Sequence, residues 1–258
     1  MRGWGELYRT SVGLGARYLV HHGYLREAVI RVVVPLDPSR YLELPETLAE
    51  LGARPGDRVL DLASPKLLAV VLARRGADVT SVDQFEWEID SWRKLTAGEP
   101  RLAFQVGDGR SLPFEDASFD HAYSVSVLEH IPEPGDEEAL RELARVVRPG
   151  GRLVVTLPHA RAYREDWRDA PVYADQGGRG ARHFFQRWYD PARVEQLAAS
   201  APDLRLVSSS LSRMEPNLNE FYTRTFPWFV PLGPAFGLLA RRVEGPDGDV
   251  VRLTFQRT

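Results

Sequence analysis

Between residues 58 and 157, short runs of β-branched and apolar residues alternate with segments of helical length, and this leaves few architectures open. Arg58-Val59-Leu60-Asp61-Leu62 reads as a first strand. A helix over 65–75 follows and stops at Gly76, the expected place for a left-handed C-terminal cap. Further strands are expected at 78–83, 102–106, 119–125 and 152–157, with helices near 86–95 and 137–147. Strands separated by helices need crossover connections, which are right-handed and give a parallel sheet covered by helices.

The flanks read differently. Residues 3–51 suggest amphipathic helices, with breaks at Gly23 and at 35–38. An irregular segment, rich in Arg, Asp and aromatic residues, runs from Pro158 to Gln186. A helix near 191–200 and late strands at 204–209 and 249–255 close the pattern, and the last two strands suit an antiparallel pair. At 258 residues, 43% of them hydrophobic, the chain suits one large domain with additions. The expected division is a helical flank or lid at 1–51 and a core domain at 52–258. Within the core domain lie an inserted substrate segment at 159–190 and an apolar cover segment at 211–242.

Composition excludes several chemistries. With no cysteine there is no disulfide, no thiolate metal site and no cysteine nucleophile, and no metal is expected. A net charge of -3 gives no general attraction to nucleic acid, so the expected partner is a small molecule. Residues 1–10 lack the apolar run of a signal peptide, and no stretch of about 18 unbroken apolar residues occurs, so a cytoplasmic protein with no transmembrane segment is expected. Oligomeric state is left open.

In open parallel sheets, ligands bind beyond the carboxyl ends of the strands. Here the first strand ends near Asp61 and the second at Asp83, and an acid about 20 positions after the first strand–helix turn suits a ribose with its paired hydroxyls. An acid there is also a common helix cap. The pieces Val59-Leu60-Asp61-Leu62, Val82-Asp83 and Gly107-Asp108-Gly109-Arg110-Ser111-Leu112-Pro113-Phe114 come first. Ser118-Phe119-Asp120-His121-Ala122-Tyr123-Ser124 follows, with Leu128-Glu129-His130-Ile131-Pro132 and Arg148-Pro149-Gly150-Gly151-Arg152-Leu153. In this order they resemble the successive motifs of the class I S-adenosylmethionine-dependent methyltransferases, over about residues 44–158.

That resemblance implies a Rossmann-like, doubly wound α/β fold with a mostly parallel seven-stranded sheet, and S-adenosylmethionine as cofactor. It implies that Asp83 binds the ribose hydroxyls, Gln84 and Phe85 flank the adenine, Asp108 accepts from the adenine amino group, and Gly109 and Arg110 line that side. Ser126 and Val127 would lie beneath the methionine portion. Asp108 beside Gly109 also suits a plain turn, and Phe85 also suits ordinary core.

The chain departs from the family at the first turn, where three glycines are expected. It reads Asp61-Leu62-Ala63-Ser64-Pro65-Lys66-Leu67. Ser64 as a cap and Pro65 at the first helical position make a good helix start, so this amino terminus could still meet the cofactor carboxylate. Ala63 is the smallest substitute for a glycine, provided its φ is negative. Lys66 opposes the helix dipole. It is either solvated, paired with a neighbouring acid, or engaged with the cofactor carboxylate.

His130 and His159, just past two strands, are the candidate bases, since histidine titrates in the useful range. A histidine in this setting also serves as a structural hydrogen-bonding residue. Acceptor specificity is expected from the inserted segment, with His183, Phe184, Trp188 and Tyr189 as candidate substrate residues. The same composition would equally glue that loop to its domain. The apolar stretch 226–240 suits packing, a pocket cover, a dimer contact or a lipid contact. The expected activity is methyl transfer to a small-molecule acceptor. The alternative is a methyltransferase-like binding or scaffold protein that has lost cofactor binding or transfer. A nicotinamide dehydrogenase is disfavoured because G-x-G-x-x-G is absent.

Overall fold

The computed structural model describes residues 4–22, 40–171, 182–213, 241–243 and 247–258. The break at residues 23–38 and the apolar stretch 226–240 lie outside them. Two helices come first, α1 (Trp4–His22) and α2 (Arg40–Leu51). The alternating part follows: β1 (Arg58–Leu62), α3 (Leu67–Arg74), β2 (Asp78–Asp83), α4 (Glu86–Leu95), β3 (Leu102–Val106) and β4 (Phe119–Val125). After a single 3-10 turn at Leu128–His130 come α5 (Gly135–Val146) and β5 (Val147–Pro158). The chain continues through β6 (Arg164–Arg168), β7 (His183–Trp188), α6 (Pro191–Ala199), β8 (Leu204–Arg213), β9 (Arg241–Val243) and β10 (Val250–Arg257).

The main sheet has the order β3-β2-β1-β4-β5-β10-β8-β9. Its first five members are parallel neighbours, and β10, β8 and β9 are antiparallel. This is the Rossmann-like α/β architecture expected, with the order reversing between β1 and β4. Eight strands form this sheet among the described residues where seven were expected, because the short β9 adds to the edge of β8. The segment expected to be irregular also contains order: β6 and β7 form a separate antiparallel pair.

Burial explains the central strands. β1 is buried from Val59 to Leu62, which a strand covered on both faces requires. One face packs against α5 and α6 through Leu140, Leu143 and Leu197. The other packs against α3, where every residue from Leu67 to Ala73 is buried, and against Leu7 and Leu14 of α1 and Leu44, Leu48 and Leu51 of α2. The N-terminal helices therefore complete a core layer. Gly76, at φ +97°, ends the turn after α3 as expected. Among the described residues no helix is long and apolar enough to cross a membrane.

Candidate active site

The carboxyl ends of β1 to β4 converge on a cavity of about 580 Å³. Ala63 follows β1, Asp83, Gln84 and Phe85 lie at the end of β2, Asp108 to Arg110 follow β3, and Ser126 and Val127 follow β4; all line the cavity. His130, Ile131 and Pro132 line it as well. Ten of the residues expected from sequence are thus brought together. Two glycines let the turn after β3 pack closely on β1 and β2: a Cβ on Gly109 would come 3.0 Å from the Leu62 side chain, and one on Gly107 3.0 Å from Val82.

The first turn is built differently from the expectation. Ala63 has φ +49°, not the negative angle expected, while its N–H extends the β1–β2 ladder by donating to the Val82 carbonyl at 2.7 Å. Ser64 does not cap a helix. Its hydroxyl donates to the Leu62 carbonyl at 3.2 Å and accepts from the Val125 N–H at 2.9 Å, which ties the turn to β4. The helix starts later, at Leu67, with Lys66 at the cap position and no side-chain cap bond. Asp61, Ser64, Pro65 and Lys66 do not line the cavity.

Lys66 is 2% exposed and takes the ion-pair alternative. Its Nζ donates to Asp83 Oδ2 at 3.2 Å and to the Ser64 carbonyl at 3.1 Å, and lies 3.7 Å from Asp61 Oδ2. Asp61 is fully buried and accepts from Ser64 N–H at 3.1 Å and Ser81 Oγ at 2.7 Å. Burial pushes its carboxyl above the usual range against the opposing pull of Lys66 and these bonds. Asp83 reaches the cavity while its Oδ1 accepts from the Phe85 N–H at 3.1 Å. Asp108 is clamped by the Arg110 guanidinium, Nη2 to Oδ2 at 2.6 Å, whose hydrogen bonds hold its carboxyl below the usual range.

The β4 rim carries groups the sequence reading missed. Ser126, at φ +53°, accepts at Oγ from Arg40 Nη1 at 2.8 Å and donates to Glu43 Oε1 at 3.0 Å. Glu43 also accepts from Thr156 Oγ1 at 2.9 Å and Arg40 Nη1 at 2.6 Å, so α2 is bolted to the ends of β4 and β5. Trp87 and Glu88 complete the wall beyond Phe85. The ring at Trp87, alternating with Phe85, was a usable signal.

Glu129 is buried, and burial pushes its carboxyl up to about 8. Its Oε1 is 3.7 Å from His130 Nε2. His130 Nδ1 is 2.8 Å from the Phe185 carbonyl. A carbonyl only accepts, so Nδ1 carries the hydrogen and Nε2 the lone pair of the neutral ring. Burial holds the His130 pKa below its ordinary value, with Arg40 adding to the effect.

The remaining expected residues lie elsewhere. His159 is 4% exposed, with Nδ1 3.1 Å from the Gly248 carbonyl, and lines a second cavity together with Trp188 and Arg161. It is therefore not beside the first cavity, because β5 carries it outward toward β10. His183 and Phe184 are buried, and Phe184 stacks edge-on against Trp167 at 5.6 Å. Tyr189 is fully buried and donates to Asp136 Oδ2 at 2.9 Å, in a network where Arg187 and Arg193 pair with the same carboxylate. Of the four, Trp188 lines the second cavity and none lines the first.

Residues 60–155 match the family model described as a methyltransferase domain. A demethylmenaquinone methyltransferase of Beutenbergia cavernae is 44% identical over 110 residues, covering 42% of this chain and 44% of the relative. Methyltransferase GfsG of Streptomyces halstedii is 30% identical over 141 residues, covering 53% and 49%. The chain thus spans less than half the length of the curated relatives named here. Among solved structures, the [4+2]-cyclase SpnF superposes with a TM-score of 0.56 at 20% identity, covering 84% of this chain and 81% of that one. A geranyl diphosphate methyltransferase in complex with SAM gives 0.56 at 14%, covering 84% and 85%.

Proposed function

We propose that this chain, whose residues 60–155 match the methyltransferase-domain family, binds S-adenosylmethionine and transfers its methyl group to a small-molecule acceptor. The observation that carries the reading is the joint arrival of Asp83, Asp108 and the Ala63 turn at one cavity. The donor set fits a nucleoside with a charged tail. Asp83 keeps lone pairs for paired hydroxyls beyond those given to Lys66 and Phe85. Phe85 offers a ring face and Asp108 an acceptor for the base, and Ser126 and Val127 would hold the amino-acid end. Bound there, the cofactor supplies a methyl group activated on a sulfonium.

The chain's own contribution is alignment of the two reactants in a site that excludes water, with His130 as the group able to hold a proton. Calorimetry with S-adenosylmethionine and S-adenosylhomocysteine tests the reading. Saturable binding that Asp83→Ala weakens at least tenfold is expected, and no binding to the unaltered chain overturns it. One observation favours a second reading, a binding module without transfer: Lys66 already occupies an oxygen of the ribose acid. The SpnF neighbour, titled a cyclase, illustrates that a fold does not dictate its reaction. Binding without methylation of any acceptor would favour that reading.

A further inference from the structure

We infer that Glu129 acts through His130 as a positioning residue, and that the pair takes the proton of a neutral hydroxyl-bearing acceptor; this rests on the methyl-transfer reading above. Three geometric facts support it. His130 lines the cavity, and its Nδ1–H is committed to the Phe185 carbonyl, which fixes the ring and leaves basicity to Nε2. Glu129 Oε1 lies 3.7 Å from that nitrogen, beyond hydrogen-bond range yet close enough for its charge to be felt. Glu129 Oε2 is buried and has no hydrogen-bond partner among the described residues, so this acid is not consumed by the architecture.

A neutral hydroxyl is the acceptor class that requires such a group. A carboxylate or a neutral amine presents its lone pair without losing a proton first, whereas a hydroxyl must give one up. In the proposed step the acceptor O–H bond breaks, the proton passes to His130 Nε2, and the electron pair stays on oxygen to attack the methyl carbon. The imidazolium keeps Nδ1–H on Phe185 and directs Nε2–H at the acceptor oxygen, with Glu129 Oε1 3.7 Å from that nitrogen. Other charged and titratable groups face the pair. Arg40 and Glu43 on α2 act with opposite signs on Glu129, Arg187 on β7 favours its carboxylate, and Tyr189 lies beyond it. Glu129 is pushed up to about 8, so its carboxylate forms, and the imidazolium gains support, as pH rises through that value.

Two measurements on the full chain test this. In the ligand-free protein, a proton NMR titration of the His130 ring, assigned with His130→Gln, should show its main step below the ordinary histidine range and a second inflection near pH 8. Glu129→Gln should abolish only the second. An unchanged His130 titration in Glu129→Gln overturns the pairing. As acceptor probe, 4-nitrophenol reports its own ionisation by absorbance. Bound to the unaltered chain, it should ionise at lower pH than in solution, with no such shift in His130→Gln and a smaller one in Glu129→Gln. No shift at saturation, or no binding, overturns the hydroxyl assignment. Binding of S-adenosylhomocysteine to the unaltered chain is read separately. Its absence sinks the methyl-transfer reading, while its presence without the NMR inflection sinks the pairing alone.

Discussion

The two rims of the cavity treat their buried acids in opposite ways. On the β1–β2 side, Asp61 and Asp83 share one buried ammonium, and their oxygens take hydrogen bonds from Ser64, Ser81 and Phe85. On the β4 side, Glu129 is equally buried, lies 3.7 Å from the His130 ring with Arg40, Glu43 and Arg187 acting on it from further off, and has one oxygen without a hydrogen bond among the described residues. A paired acid is a fixed part of the frame, held by Lys66 and by hydrogen bonds from the turn and β2. An uncompensated one keeps its proton until about pH 8 and so can respond to what enters the cavity.

The strongest way to break this contrast is to remove Lys66. Lys66→Met leaves two buried carboxylates without their cation, and losing one partner of a buried pair costs about 3–5 kcal/mol. A loss of unfolding free energy of that size, read from urea denaturation, is expected at pH 7. The loss should shrink as pH falls, because protonating Asp61, whose carboxyl burial already raises, relieves the uncompensated charge. Asp61→Asn in the same background should recover part of the stability. A cost below about 1 kcal/mol would mean that water reaches the triad, and the contrast between the rims would vanish.

Glu129→Gln probes the other rim with the opposite sign. Burial raises the Glu129 pKa in the folded chain from an ordinary 4.5 to about 8, so between these values the native state binds more protons than the unfolded state. Stability then falls as pH rises from about 5 to 8, by roughly 1.4 kcal/mol per unit at most. Glutamine carries no such burden, so Glu129→Gln should gain on the unaltered chain by about 2–4 kcal/mol between pH 5 and pH 8, read from paired denaturation curves. Parallel stability profiles for the two proteins would show Glu129 to be as compensated as Asp83.

How much of this was legible depended on whether the deciding contact was local. β2, α4, β3 and β4 fall at the expected residues, because strand and helix periodicities in a covered parallel sheet answer to burial alone. A helix capped by Ser64 with Pro65 at its first position was expected, and another near 191–200. At Asp190-Pro191 the expectation holds, with the Asp190 side chain accepting from Arg193 N–H at 2.8 Å. At Ser64-Pro65 it fails, because Val125, distant in sequence, claims the same hydroxyl. Glu43 was invisible for the same reason, its partners Ser126 and Thr156 lying 83 and 113 positions away. The β6–β7 pair escaped because Arg164-Glu165-Asp166-Trp167-Arg168 carries no apolar alternation.

The smallest effects sharpen the contrast at backbone level, since each rim holds one non-glycine residue in the left-handed region, Ala63 at φ +49° and Ser126 at φ +53°. Such a conformation costs roughly 1–2 kcal/mol. Glycine removes that strain but adds about 0.5–1 kcal/mol of chain entropy to the unfolded state. Ala63 makes no side-chain hydrogen bond, so Ala63→Gly should stabilise by about 0.5 kcal/mol. Ser126→Gly starts from the same backbone relief but breaks the Oγ bonds to Arg40 and Glu43, leaving a buried carboxylate short of a donor, so a net loss of about 1 kcal/mol is expected. Opposite signs in thermal denaturation would mean that the Ala63 turn tolerates strain its side chain does nothing to offset, whereas the Ser126 turn is held by α2. Equal gains for both would mean that α2 is not fastened to β4 through this hydroxyl, and with it would go the argument that Arg40 and Glu43 set the charge around Glu129.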